Sequence, residues 1–87
     1  MITHVAIRWG GKVYSLPEPN RHHHVIRLIA EENNVSYVGA REDDQGFLDE
    51  NGLFYRRRAA LMHALKHNQV KDPKKIIRGM LFSEDLW

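Results

Sequence analysis

Two glycine-bearing dipeptides frame this chain. Gly10-Gly11 and Asn51-Gly52 each stand between short runs of strand character. Such dipeptides tolerate positive φ and join antiparallel strands in tight hairpins. Before the first, Val5, Ile7 and Trp9 alternate with His4, Ala6 and Arg8; after it comes Lys12–Leu16. A period of two predicts strands with one apolar face. Pro17 and Pro19 end the second strand, because proline cannot donate to a ladder. Phe47-Leu48 and Leu53-Phe54-Tyr55 are the arms of the second hairpin.

A helical stretch follows each hairpin. Over Arg21–Asn33, His22, Val25, Ile26 and Ile29 recur at spacings of three and four, with Asn20 the expected N-cap. Over Arg57–Gln69 the apolar stripe is Ala60, Leu61, Ala64 and Leu65. Val35–Val38 reads as an additional short strand, and Gly39 to Gln45 as a loop. The expected fold is α+β in the order ββαββα: a small twisted antiparallel sheet of two hairpins with both helices packed on one face. Residues 1–87 are read as a single domain, with 79–87 as an apolar tail. In that tail Leu81, Phe82, Leu86 and Trp87 need cover, from their own domain or from a neighbouring subunit. A chain of 87 residues buries only roughly 60% of its unfolded surface. A homo-oligomer is therefore expected, with Leu86 and Trp87 at the subunit contact.

Composition excludes several classes of function. There is no cysteine, hence no disulfide and no thiolate chemistry. No apolar run nears the ~20 residues of a membrane span. The polar start Met1-Ile2-Thr3-His4 does not read as a signal peptide, and with the lack of cysteine this suits a cytosolic protein, bacterial or phage, better than a secreted one. The net charge of +2 is too small for nucleic-acid binding by bulk charge, but it is unevenly spread. Arg56-Arg57-Arg58 and the stretch Lys71 to Arg78 are basic, and Arg41 to Glu50 is mostly acidic.

No catalytic set stands out: there is no glycine-rich phosphate loop and no nucleophile elbow. His22, His23 and His24 point ~100° apart on a helix and cannot share one metal. They read either as one partly buried and two solvated side chains, or as donors to a ligand phosphate or base. His63 and His67 have i, i+4 spacing but no third ligand at a recognisable distance in sequence, so no metal site and no cofactor are expected. Arg56, Arg57 and Arg58 crowd a helix start, where cations oppose the dipole. An anion there satisfies the orphan amides and the guanidinium groups together. Alternatively these arginines pair with Asp49 and Glu50 or extend into water. Tyr14, Phe54 or Tyr55 could stack on a ligand base.

The chain also carries a recurring pattern: Gly46-Phe47, Gly52, Phe54, Arg57, Ala60, Ala64 and Gln69, then Leu81-Phe82-Ser83-Glu84-Asp85-Leu86-Trp87. From Gly46 onward it resembles a group of small phage-encoded proteins. The resemblance covers about half the chain and implies a phage setting more than a mechanism. Small cysteine-free phage proteins are often counter-defence factors. The expected function is non-catalytic sequestration of an anionic nucleotide immune signal by Arg56, Arg57, Arg58, His22, His23 and His24. Inhibition of a host defence protein by direct binding, anti-CRISPR-like, is the alternative, and a small nucleotide hydrolase is the third reading.

Overall fold

In the computed structural model, which describes residues 1–87, β1 (Ile2–Trp9) and β2 (Lys12–Pro17) pair antiparallel across the first glycine turn. Gly10 and Gly11 take φ of 60° and 78°, so both residues of the turn need the freedom glycine supplies. The second hairpin joins β3 (Gln45–Asp49) to β4 (Phe54–Arg56) by a different device. Only Gly52 has positive φ there. The Asp49 carboxylate makes the turn, its Oδ1 accepting from the backbone amides of Asn51 (2.9 Å) and Leu53 (3.0 Å).

The hairpins join through their first strands. The sheet order is β2-β1-β3-β4, antiparallel throughout, so β1 is central and β2 and β4 are the edges. Val5 and Phe47 are register partners on one face, and both are fully buried with Ile7. Helix α1 (His22–Asn33) packs there through Val25 and Ile29, and α2 (Arg57–Lys66) through Ala60, Leu61 and Ala64. The α+β architecture with its antiparallel sheet and two helices is thus as the patterning predicts. The other face has no helix. Along it Ala6 pairs with Gly46 and Leu48 with Phe54, while the Arg8 guanidinium lies 4.6 Å over the Phe54 ring.

Three local expectations are corrected. Val35–Val38 is not a strand: it finds no ladder partner, and Val38 is instead buried against the core. The N-cap of α1 is Arg21 rather than Asn20. The Arg21 amide donates to His24 Nδ1 at 2.8 Å, while the Asn20 side chain donates back to the Pro17 carbonyl. Finally, α2 stops at Lys66, and Asn68 then turns left-handed with φ 55°. This frees Gln69 to act as an extra ladder rung. Its Oε1 accepts from the Ile2 amide (2.7 Å) and its Nε2 donates to the Ile2 carbonyl (2.9 Å).

The last segment runs back between the two helix starts. The Leu81 amide donates to the Arg57 carbonyl (3.1 Å), and Leu81 is fully buried. A single 3₁₀ turn follows at Ser83–Asp85, and the Trp87 indole donates to the Asn20 carbonyl at 2.8 Å. Leu86 and Trp87 are half-buried against their own core.

Candidate functional site

β4 passes into α2 without a loop, so Arg56 is at once the last strand residue and the helix N-cap. No side chain caps this helix, and its first turn holds no acidic residue. Three consecutive arginines at that junction diverge by geometry. Arg56 pairs with Gly46 and therefore projects from the helix-free face of the sheet. Arg57 turns inward. Its Nη1 donates to the Leu81 carbonyl (2.8 Å), its Nη2 to Gln45 Oε1 (3.0 Å), and its guanidinium lies 4.3 Å over the Phe82 ring. Burial lowers its pKa, opposed by the charges of Glu42, Glu84 and Asp85, and it remains a cation. Arg58 is exposed and donates from Nη1 to the Arg78 carbonyl at 3.2 Å.

These residues line a surface cleft of about 380 Å³ together with Arg78, Met80, Glu42 and Asp43. Arg78 reaches it from a tight turn, with φ of 55° and Gly79 following at 66°. The ion pairs of the protein are Met1–Glu50, Arg8–Asp44 and Arg41–Asp44. None of the four cleft arginines is in an ion pair, neither with Asp49 and Glu50 nor with the rim carboxylates. Arg57 is neutralised by nothing closer than carbonyl and amide oxygens. Arg56, Arg58 and Arg78 line the cleft near the positive end of α2, and among their guanidinium groups only Arg58 Nη1 is engaged in a hydrogen bond.

The other candidate side chains go elsewhere. His22 is buried, its ring edge-on to Phe47 at 5.0 Å, and its Nε2–H donates to the Gly46 carbonyl at 2.8 Å. Burial pushes its pKa down to about 4, so it is neutral at pH 7. His24 closes the α1 start, and His23 is exposed beside it with ring centroids 4.1 Å apart. Tyr14 is buried, its hydroxyl accepting from Asn33 Nδ2 at 3.1 Å. Tyr55 donates its hydroxyl to Asp49 Oδ2 at 2.9 Å and stacks on His63 at 4.7 Å. Phe54 is covered by Arg8 on the helix-free face. The two helix starts do approach each other, for His22 bonds the Gly46 carbonyl and Arg57 bonds the side chain of the neighbouring Gln45. The gap between them holds the chain's own Leu81–Trp87, whose Glu84 acts on both residues.

Sequence reasoning missed Arg78 as a cleft residue, since the run Lys71–Arg78 reads as solvated. The signal was Arg78-Gly79 itself, a turn dipeptide that brings a cation back to α2. It also missed that Asp49 and Glu50 meet His63, with ligand atoms all within 4.8 Å of one another.

An open-faced antiparallel sheet, two helices on one side and an arginine cleft at a strand-to-helix junction define a small α+β domain with a cationic surface site. The chain belongs to the phage T4 y16D protein family, which matches residues 1–87. No curated protein and no solved structure matches it. No helix is long and apolar enough to cross a membrane.

Proposed function

We propose that this phage protein binds an anionic, nucleotide-like host immune signal at the arginine cleft and holds it without catalysis. The observation that carries the reading is the unpaired state of Arg56, Arg58 and Arg78 around one cleft. Unpaired like charges at a helix N-terminus repel one another and the dipole, and a phosphate relieves both. The phage family fits a role against host defence, and no residue constellation at the cleft resembles an acid–base or nucleophilic set. Arg57 forms the buried floor, and its part is to hold the backbone that presents Arg56 and Arg58. The bacterial cytoplasm, where such signals are made, is the proposed place of action.

Calorimetric titration with cyclic dinucleotides and ADP-ribose derivatives tests the reading, beside native mass spectrometry of protein purified from infected cells. Saturable binding is expected. Arg58→Ala and Arg78→Ala should each weaken it by about 10- to 150-fold, the worth of a charge-assisted hydrogen bond. If the wild-type protein binds none of the panel and carries no nucleotide from cells, sequestration is wrong. Direct blocking of a host defence protein then becomes the leading account.

A further inference from the structure

At the far end of β3 from α1, the Asp49 turn meets the C-terminal half of α2. We infer that Asp49, Glu50 and His63 form a binding site for a divalent transition-metal ion of the zinc type. Their ligand atoms already lie within 4.8 Å of one another. A tetrahedral zinc site separates its ligand atoms by about 3.4 Å, twice the half-angle projection of a bond near 2.1 Å. Glu50 is exposed, and a bound ion requires its side chain to leave the Met1 ammonium and close the difference.

Two observations point to a cation at this position. The first is that a cation is already held there. The Met1 ammonium lies 2.6 Å from Glu50 Oε1 and 3.2 Å from His63 Nε2. Since an ammonium only donates, that imidazole nitrogen presents its lone pair inward. One carboxylate and a neutral imidazole therefore hold one positive charge, with the Asp49 carboxylate close beside them, and a divalent ion exchanges with it. The second is that the ligands are oriented from outside, as metal ligands are. Asp49 Oδ1 accepts from two backbone amides and Oδ2 accepts from the Tyr55 hydroxyl, leaving a lone pair on Oδ2 for a metal. His63 is held between the Tyr55 and His67 rings, at 4.7 and 4.5 Å.

The charge states agree. Asp49 is held below the usual carboxylate range, chiefly by the Leu53 amide, and Glu50 chiefly by the Met1 ammonium. Burial, the ammonium and His67 lower the pKa of His63. One imidazole with two carboxylates suits zinc and, for spectroscopy, cobalt. The ligands come from the β3–β4 turn and from α2, so the ion would clamp hairpin to helix.

The test uses the full chain, stripped with chelator and titrated with Co²⁺ and then Zn²⁺ in a buffer that binds neither. The expected result is one equivalent of cobalt giving visible absorption of tetrahedral type, displaced by zinc. Saturating zinc should raise Tm by about 5 °C or more. Glu50→Gln and His63→Ala should each weaken binding at least tenfold, whereas Lys74→Ala should not. Glu50 is exposed, so its variant folds whatever becomes of His63→Ala. No cobalt spectrum at one equivalent overturns the site. Equal affinity in wild type and Glu50→Gln overturns it as well.

Discussion

His22 shows most directly how one side chain ties the fold to pH. Its imidazole is neutral because it is buried, with a folded pKa of about 4 against an unfolded value near 6.5. Between these values the unfolded chain takes up a proton that the native protein refuses. The stabilisation is therefore complete above pH 6.5 and is lost as pH falls toward 4. The full loss is about 3 kcal/mol, from 1.36 kcal/mol per pKa unit. His24 and His63 are shifted in the same direction, so the wild-type slope is steeper still. Urea unfolding at pH 7 and at pH 5 should show the fall, and His22→Gln should flatten it. Arg57 gives the second prediction at this scale. Arg57→Met leaves the buried Leu81 carbonyl without its guanidinium donor and should cost about 3 kcal/mol. Arg58→Ala, on an exposed neighbour, should stay within about 0.5 kcal/mol of wild type. Denaturant midpoints of the two variants separate the structural arginine from the surface one.

At the scale of elements, Gly46 decides whether β3 can lie between its neighbours. A Cβ there would overlap the Tyr55 carbonyl and stand 2.8 Å from Phe54 Cζ. The clash is with backbone, so it cannot be relieved by a rotamer change. Gly46→Ala should therefore destabilise by about 3 kcal/mol or more and weaken protection of the β3–β4 amides in hydrogen exchange. Elements were also where the sequence was most legible. Both hairpins and both helices follow from local periodicity and turn residues. Val35–Val38 has strand-like residues, but a strand exists only with a partner; this segment lies along neither open edge, β2 or β4, and its Val38 packs into the core instead. The site was less legible. Arg56, Arg57 and Arg58 are chemically alike in a string of letters. Only the strand-to-helix junction sends one inward and two outward. The approach of Asp49 to His63 depends on packing between a turn and a helix, which no spacing encodes.

For the whole molecule, the question is what the Leu81–Trp87 segment covers. Within one chain it closes the gap between the two helix starts, through the Trp87 indole on Asn20 and the Leu81 ladder to Arg57. Removing Leu86 and Trp87 should lower Tm by several degrees, because half-buried apolar area is lost from the chain's own core. Sedimentation of both forms asks the second question. A homo-oligomer remains our proposal, and a mass that falls on truncation would place the tail at the contact. An oligomer that survives truncation would place the contact elsewhere, with exposed Met62 and Ile77 the first surface to test.

The central place of β1 has a consequence for how the protein reaches its native state. Its partner across one edge, β2, is adjacent in sequence, but the partner across the other, β3, comes after a helix and a loop. The clamp on its first residue, Gln69, lies 67 positions away. Loop closure over such spans is slow, and folding is expected on a millisecond-to-second scale. During that delay the first hairpin is an orphan, with Val5 and Ile7 uncovered and the free edge of β1 open to any passing strand. At high concentration, aggregation should compete with folding at this edge. The vulnerability is kinetic, and it closes when β3 arrives.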